Sequence, residues 1–416
     1  MSRDNIHIQY IFRSFPNISE LFLVNEIIGM IKWGIKVSIV SLYKPSNLNQ
    51  VHDDTIHYGL LDKTYYLNIP LGIKKPINIF IRTIYGQAKL FIGAKISLRS
   101  KIQVSSFSLK NKKRRITLVN LVDLINHIAV EKPDLLYFHF ATHAGDLIIL
   151  RKIFKIPCVV YLHGYDFSKN LPFDELNYPE MFCYGDWFFT NSNYSAGKII
   201  KLGCQESKLS VLGLPLDEHS YPFLIRKRRS RIKLLTVGRL VEKKGMEYSI
   251  RAVERLVRDF PELEYNIIGA GKLEMYLKDL IESLQMGKNI FLLGSRTKAE
   301  VIRYMLDSDI FILSSITAKD GDTEGLGVVL LESQLTGMPV VATLHNGFTD
   351  AVKDGISGFL VPEKDVDALY NRLRWLIENP QEWESLGRAG REHVVANYSE
   401  QVYMEKITER LKSIVK

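Results

Sequence analysis

Short runs of β-branched and aromatic residues alternate with longer helical patterns along most of this 416-residue chain. This alternation is typical of parallel sheets built from strand-helix-strand units. Segments with the character of buried strands form two series: 6–12, 37–42, 135–140, 158–162, 187–191 and 209–212, then 233–237, 265–268, 290–293, 310–314 and 340–343. The pattern therefore predicts an α/β protein with two Rossmann-like, doubly wound domains.

A Gly-Leu-Pro turn at 213–215 and a basic stretch at 226–231 separate the two series, as a hinge between domains would. We predict one domain over 1–215 with a basic insertion at about 70–116, a second over 216–397, and a helix over 398–416 that packs back across both. Because functional loops leave the C-terminal ends of parallel strands, we expect ligands to bind in a central cleft that the domains face.

The net charge of +9 is concentrated in one segment, because no acidic residue lies between Asp62 and Asp123. Within 74–115, Lys and Arg are interleaved with Ile, Phe and Tyr, which fits basic amphipathic helices on an anionic membrane surface. A solvated basic insertion fits equally well. The segment has no aromatic stacking array or nucleic-acid motif, so we do not expect nucleic acid as a partner.

The remaining composition indicates a cytoplasmic protein. No apolar run approaches the roughly 18 residues that a membrane span needs, and the N-terminus lacks the order of regions in a signal peptide. Three cysteines without CxxC spacing predict neither a disulfide nor a zinc site. If the basic segment binds the membrane surface, the protein is expected to be peripheral at the inner face of the plasma membrane.

The most informative motif runs from Asp320 to Glu332, directly after a predicted strand. It places Glu324 and Glu332 eight positions apart, with Gly325 and Gly327 between them. Glycines let the chain pass close to a ligand, and free N–H groups at the start of a helix suit a phosphate. The spacing alone equally fits an ordinary helix start with acidic residues near its positive end.

Three motifs occur together in the order of a known family: Val-Gly-Arg-Leu at 237–240 with Lys-Lys-Gly at 243–245, the paired glutamates, and Gly-Met-Pro-Val-Val-Ala-Thr at 337–343. This set resembles glycosyltransferase family 4, which implies the GT-B fold and mostly transfer with retention of anomeric configuration. Segments 15–22, 163–166 and 344–347 look like the branch that builds bacterial exopolysaccharide, colanic-acid and O-antigen repeat units.

The resemblance implies a catalytic set of four residues: Glu324, His163, Arg239 and Lys244. Arg239 and Lys244 would bind the donor diphosphate and oppose the negative charge that develops on the leaving nucleotide. Glu324 would contact the donor sugar, and His163 would steady that sugar as positive charge develops. Without the resemblance, a single His after a strand is more often a structural hydrogen-bonding residue.

The resemblance assigns further positions to substrate binding, with Glu332 on the ribose and Asp166 ordering the turn after His163. The full set is Glu332, Gly325, Leu326, Gly327, Asp166, Ser295, Arg296, Gly238, Asp322, Ser19 and Glu20. Ser19 and Glu20 are weaker predictions, because they equally fit the cap of the first helix.

Asp320-Gly321-Asp322 matches the DxD metal motif of a different glycosyltransferase fold. It precedes Glu324, where acidic residues can shape a sugar pocket, and GT-B enzymes usually act without bound metal. We therefore expect no metal and no cofactor.

These inferences predict a retaining hexosyltransferase that uses a UDP- or GDP-sugar donor and a lipid-linked or growing oligosaccharide acceptor in bacterial surface polysaccharide biosynthesis. A nucleotide-sugar epimerase or a disaccharide phosphorylase of the same fold remains the alternative. The intact motif set argues against a non-catalytic binding module. A nicotinamide dehydrogenase is disfavoured because no GxGxxG follows the first predicted strand.

Overall fold

The structure is a computed structural model that describes residues 6–17, 21–46, 51–67, 76–110, 117–164, 166 and 178–415, without the side chains of 21, 76–83, 109 and 110. The chain divides into two compact units. The first contains the residues up to Thr190, Ala196–Leu212, and the chain from Met404 onward; the second contains Asn191–Ser195 and Gly213–Tyr403.

The first unit is built on a parallel sheet that has seven strands within the described ranges, in the order β3-β2-β1-β4-β5-β6-β7. The strands are β1 His7–Ser14, β2 Lys36–Tyr43, β3 Thr64–Tyr66, β4 Leu135–His139, β5 Cys158–Leu162, β6 Trp187–Thr190 and β7 Leu209–Val211. The order reverses between β1 and β4, and the loops after these central strands therefore leave the sheet at its switch point.

Helices alternate with these strands along the sequence. They are α1 Leu21–Lys32, α2 Asp53–His57, α3 Pro76–Gly93, α4 Leu98–Lys110, α5 Leu118–Glu131, α6 Ala141–Leu147, α7 Ile149–Phe154, α8 Tyr178–Tyr184 and α9 Asn193–Lys201. In α5 the side chain of Thr117 caps the N-terminus by accepting from Asn120 N. The buried face of α5, with Ile125 and Ile128, packs in one core with Phe138 of β4.

The second unit is also built on a parallel sheet, with the order β10-β9-β8-β11-β12-β13 among the described residues. The strands are β8 Lys233–Val237, β9 Glu264–Ile268, β10 Ile290–Leu292, β11 Ile310–Leu313, β12 Val340–Thr343 and β13 Phe359–Val361. The helices are α10 Met246–Asp259, α11 Glu274–Ser283, α12 Lys298–Asp307, α13 Val328–Leu335, α14 Phe348–Ala351, α15 Val366–Glu378, α16 Trp383–Tyr398 and α17 Glu400–Val415, which ends among residues grouped with the first unit.

These two sheets confirm the predicted α/β class, and every predicted strand is present with its ends shifted by at most two residues. Sequence patterns missed β3 and β13. Each has three residues and lies at an edge of its sheet, so it is too short to show a periodic pattern.

The basic stretch predicted as a hinge begins with an arginine that is fixed inside the second unit. Arg226 is 4% exposed, and its guanidinium donates hydrogen bonds to the carbonyl oxygens of Ser308, Leu224, Thr336 and Met305. Burial lowers the pKa of Arg226 to about 10, so the side chain remains charged at neutral pH. Arg226 therefore ties the start of this stretch to the ends of α12 and α13.

Among the helices of the described ranges, none has both the length and the apolar character required to cross a membrane. The three cysteines are free thiols, of which Cys158 and Cys204 are buried and Cys183 is exposed. Burial raises the pKa of Cys204 to about 11, which keeps this thiol protonated and unreactive.

Candidate active site

The loop after β8 brings a lysine into the interior of the second unit. A single turn of 3-10 helix, Glu242–Lys244, ends at Gly245, whose φ is +58°. A Cβ at Gly245 would lie 1.9 Å from the carbonyl oxygen of Ser314, so only glycine permits this approach to the end of β11. Lys244 is consequently buried at 8% exposure.

Lys244 forms an ion pair with the first glutamate of the paired motif. The Lys244 Nζ lies 2.7 Å from Glu324 Oε2, and the neighbouring Lys243 Nζ lies 3.2 Å from Asp322 Oδ1. Burial by itself would raise the pKa of Glu324, but the charges of Lys244 and Lys243 outweigh it and lower that pKa. Glu324 is therefore an ionised carboxylate at neutral pH, held in place by a cation.

The peptide groups of Glu324 are held by two residues of the loop after β12. His345 is fully buried; its Nδ1 lies 2.5 Å from Glu363 Oε1, and its Nε2 accepts a hydrogen bond of 3.0 Å from Glu324 N. Asn346 Nδ2 donates to Glu324 O at 2.8 Å. Burial lowers the pKa of His345 against the opposing effect of Glu363, which keeps the ring neutral and able to accept at Nε2.

In the sequence, His345 and Asn346 belong to the segment 344–347, which resembles the exopolysaccharide branch of the family. No role in the site was predicted for either residue. Their position directly after β12, at the same end of the sheet as the loops after β8 and β11, is the signal that could have identified them.

The glycines of the paired motif lead into α13. Gly327 is the N-cap residue of α13, and no side chain caps this end of the helix. Gly347 N donates to Gly325 O at 3.0 Å, and a Cβ at Gly347 would lie 2.2 Å from that oxygen. The close packing fixes the path of the chain before α13, and an uncapped helix N-terminus is a favourable place for an anion. Leu326 is buried between the two glycines.

The second glutamate of the motif is held by a tyrosine. Glu332 is half-buried on α13, and its Oε1 accepts a hydrogen bond of 2.8 Å from the hydroxyl of Tyr221. Burial raises the pKa of Glu332, although Tyr221 and the charge of Lys298 act in the opposite direction. The sequence gave no indication of Tyr221, because it lies in a loop that precedes β8 by more than ten residues.

Several predicted binding residues lie at the same end of the sheet with exposed side chains. Arg239 follows β8, and Ser295 and Arg296 follow β10; all three side chains are exposed. Gly238 packs against Lys244, since a Cβ at this position would lie 3.2 Å from Lys244 Cε. The structure therefore brings Gly238, Lys244 and Glu324 together and leaves the other three residues open to solvent.

His163 and Asp166 belong to the first unit. Asp166 Oδ2 accepts from His163 N at 2.9 Å and its Oδ1 accepts from Thr142 N at 3.3 Å, so one carboxylate joins the loop after β5 to the first turn of α6. The ring of His163 is 6% exposed, and its Nε2 lies 3.2 Å from Nδ1 of His139. Burial, assisted by His139, lowers the pKa of His163 well below its ordinary value.

Some predicted positions lie outside the described residues: Ser19, Glu20, Tyr165 of the 163–166 segment, and parts of the basic segment at 74–75 and 111–115. The DxD-like turn is described. Asp322 N donates to Asp320 Oδ1 at 3.0 Å, while Asp322 pairs with Lys243. In the described part of the chain, no group of three or more His, Cys, Asp or Glu side chains is arranged to hold a metal ion.

Comparison with known proteins agrees with this architecture. The family described as Glycosyltransferase Family 4 matches residues 93–219, and the one described as Glycosyl transferases group 1 matches residues 220–393. The chain is 29% identical over 411 residues to the putative colanic acid biosynthesis glycosyltransferase WcaL of Escherichia coli K12, covering 96% of this chain and 98% of WcaL. It is 28% identical over 413 residues to the amylovoran biosynthesis glycosyltransferase AmsK of Erwinia amylovora, covering 96% and 98%.

The fold is similar to that of a solved structure, Anabaena HepE in complex with UDP and glucose, with a TM-score of 0.69. The match covers 98% of this chain and 100% of HepE at 17% identity. The relatives are glycosyltransferases, so the epimerase and phosphorylase alternatives are not favoured. The chain carries the Glycosyltransferase Family 4 domain over 93–219 and the Glycosyl transferases group 1 domain over 220–393, and with its two parallel α/β units it is a transferase enzyme of the GT-B fold.

Proposed function

We propose that this enzyme transfers a hexose, with retention of anomeric configuration, from a UDP- or GDP-sugar to a lipid-linked or growing oligosaccharide in bacterial surface polysaccharide biosynthesis. The observation that carries the proposal is the buried ion pair of Lys244 and Glu324, next to the glycines that precede α13. A buried cation and an uncapped helix start together suit a diphosphate.

The cations and main-chain N–H groups of this site are best suited to the diphosphate of the donor. Arg239, with an exposed guanidinium after β8, and Lys244 would contact the phosphate oxygens. As the bond to the sugar breaks, negative charge grows on the departing nucleotide. Fixed cations and the N–H groups at Gly325–Gly327 stabilise that charge without reorganising, which is the main electrostatic route to catalysis.

The ribose of the nucleoside would contact Glu332, and the donor sugar would contact Glu324. Glu332 has a raised pKa and a hydrogen bond from Tyr221, and its second oxygen suits the hydroxyl groups of a ribose. Glu324 is ionised and held by Lys244, His345 and Asn346, so it can accept hydrogen bonds from sugar hydroxyls. The role of His163 at the donor sugar stays a prediction.

The proposed retaining reaction requires neither a nucleophilic carboxylate nor a metal. The charge of Lys244 stabilises Glu324 as a carboxylate and opposes its protonation, so it is poorly suited to act as a general acid. The donor phosphate would instead accept the proton of the attacking hydroxyl. Asp322 is paired with Lys243, and this supports a structural role for the DxD-like turn.

The surface of α3 and α4 supports the proposal that the acceptor is linked to a lipid. These helices expose large apolar side chains at Ile84, Tyr85, Phe91, Ile92, Leu98 and Ile102. Lysines and arginines lie among them, without an acidic residue on either helix. A basic surface with exposed apolar groups fits an anionic membrane, which would place this cytoplasmic enzyme beside its acceptor.

Vesicle co-sedimentation tests the membrane contact. Ile92 is 86% exposed on α3, and Ile92→Glu should weaken binding to vesicles that contain anionic lipid, because it removes an apolar contact and adds a repelled charge. Ile356→Glu, at a side chain 65% exposed in the second unit, is the matched control and should bind as the wild type does. Equal binding of both variants, or no binding by the wild type, would argue against the contact.

The donor site is tested by turnover of UDP- and GDP-sugars with a lipid-linked acceptor. Arg239→Ala and Glu332→Ala should each lose most activity while retaining the wild-type fold by circular dichroism. Arg303→Ala, at an exposed arginine on α12, makes the same change away from the site and should retain activity. Normal turnover in either site variant contradicts the proposed donor site.

A further inference from the structure

One carboxylate joins three loops at the C-terminal end of the second sheet. Glu363, two residues after β13, accepts at Oε2 a hydrogen bond of 2.9 Å from Thr317 N in the loop after β11. Its Oε1 lies 2.5 Å from Nδ1 of His345 in the loop after β12. The side chain of Glu363 is 27% exposed, whereas that of His345 is fully buried. The sequence predicted no role for Glu363.

The hydrogen-bond donors around His345 fix which ring nitrogen carries the hydrogen. Glu324 N donates to Nε2 at 3.0 Å, and a main-chain N–H can only donate. Asn346 Nδ2 also lies 3.0 Å from Nε2, and the same nitrogen donates to Glu324 O, which can only accept. Because two donors meet at Nε2, this nitrogen presents a lone pair and the hydrogen is on Nδ1. The contact of His345 with Glu363 is therefore a hydrogen bond from a neutral ring, not an ion pair.

The neutral state of His345 agrees with its surroundings. Burial is the largest influence on the pKa of His345 and lowers it, and the charge of Lys244 acts in the same direction. Glu363 and Glu324 act in the opposite direction without overcoming the effect of burial. The ring also meets the buried ring of Phe348 edge-on, with the centroids 5.5 Å apart, which holds it in place.

Removal of Glu363 would leave the Nδ1–H of a buried ring without its acceptor. A buried N–H without a partner is costly, so the ring would gain by turning Nδ1 towards water or by moving its hydrogen to Nε2. Either change takes away the lone pair that accepts from Glu324 N. The carboxylate of Glu363 thus acts on Glu324 through His345.

We propose that Glu363 is a positioning residue for the donor sugar, because through His345 it holds the Glu324 peptide and so the direction of the Glu324 carboxylate. This inference rests on the proposed function, in which Glu324 contacts that sugar. The peptide of Glu324 is held by His345 and Asn346, whereas its carboxylate pairs with Lys244. A loosened peptide would therefore misplace the carboxylate while Lys244 stays available to the diphosphate.

The proposed nucleotide contacts depend on other supports. Glu332 is held by the hydroxyl of Tyr221, and Arg239 follows β8 with an exposed side chain. Loss of Glu363 should therefore weaken recognition of the sugar and spare recognition of the nucleotide. A carboxylate that only stabilised the loops would affect both parts of the donor equally.

Steady-state turnover of a panel of UDP- and GDP-sugars, with UDP and GDP as inhibitors, separates these two roles. For the donor that the wild type uses, Glu363→Ala should lower kcat/KM about tenfold, as expected for one lost hydrogen bond in a buried site. The inhibition constant of the bare nucleotide should stay within about twofold of wild type. Glu363→Gln keeps the shape and one acceptor oxygen, so its kcat/KM should lie between the two.

Glu262→Ala is the matched control. Glu262 is an exposed glutamate in the turn between α10 and β9, at the opposite end of the sheet, and its replacement should change neither value. Unchanged kcat/KM in a folded Glu363→Ala protein would overturn the proposal. An equal loss in kcat/KM and in nucleotide inhibition would also overturn it.

Nitrogen-15 NMR of histidine-labelled full-length protein tests the contact without a substrate, with the His345 signals assigned by their loss in His345→Gln. At pH 7 the wild type should show hydrogen on Nδ1 and an unprotonated Nε2, and Glu363→Ala should lose this single state. Hydrogen on Nε2 in the wild type would overturn the proposal even if Glu363→Ala failed to fold. A wild type that turns over no donor would refute the proposed function, while the spectra would still show whether Glu363 fixes His345.

Discussion

Replacing Lys244 by methionine removes the cation of the buried pair while preserving the length and apolar character of the side chain. The side chains of Lys244 and Glu324 are 10% and 21% exposed, so the carboxylate would lose its nearest charge in a largely dry site. Removing one partner of a fully buried pair costs about 3–5 kcal/mol. Because this pair is partly exposed, we expect Lys244→Met to destabilise the second unit by about 2–3 kcal/mol.

The destabilisation should depend on pH with a defined sign. In the wild type the pKa of Glu324 is lower in the folded protein than in the unfolded chain, where it is about 4.3. Ionised Glu324 therefore adds stability above pH 4.3, and this stability is lost as the pH falls through the pKa of the folded protein. In Lys244→Met burial dominates and raises the folded pKa, so ionised Glu324 costs stability as pH rises. The difference from wild type should be largest at pH 7 and should shrink towards pH 4.

Denaturant unfolding of wild type and variant at pH 7 and pH 4.5 measures this difference. Lys288→Met, at an exposed lysine between α11 and β10, is the matched charge control and should stay within about 0.5 kcal/mol of wild type. Donor turnover by Lys244→Met should fall by about 10²–10³. A Lys244→Met protein with wild-type stability at both pH values would refute the view that Glu324 is a buried carboxylate held by this lysine.

Four further outcomes follow from the second unit. His345→Ala should lower kcat/KM by about tenfold because it releases the Glu324 peptide, measured by donor turnover. In the wild type the lowered pKa of His345 should reduce stability as pH falls below about 6.5, since the unfolded chain takes up the proton first. Arg226→Met should cost at least about 3 kcal/mol in denaturant unfolding, because buried carbonyls lose their donor. Gly347→Ala should weaken nucleotide binding, measured by calorimetry, since its Cβ would lie 2.2 Å from Gly325 O. Wild-type values in any of these three variants would contradict the corresponding contact.

The central strands of both sheets were predictable because they are buried on both faces and appear as apolar runs between turns. The strands β3 and β13 were not, because each is short and pairs with one neighbour only. The basic stretch at 226–231 was predicted as a hinge, and the burial of Arg226 was hidden, since an arginine in a basic run has the composition of a solvated linker.

The motif residues of the proposed donor site could be identified as candidates because they are close in sequence and match a family pattern. The residues that hold the motif glutamates in place were not predictable. Tyr221 and His345 reach the glutamates from separate loops, and Glu363 reaches His345 from a third, so no local spacing reveals them. The same holds for His139, which meets Glu26 and His163 only when α1, β4 and β5 are assembled. The roles assigned to the predicted site residues stay predictions until variants are assayed.

Thermal unfolding with a panel of UDP, GDP, ADP and NAD tests the central claim most directly, namely that the second unit binds the nucleotide of a sugar donor. A nucleotide at 100 times its dissociation constant stabilises the folded protein by about 2.7 kcal/mol. We predict that UDP or GDP alone raises the unfolding temperature of the wild type, and that Glu332→Ala loses most of this shift. A shift with NAD only, or with none of the four nucleotides, would contradict the account.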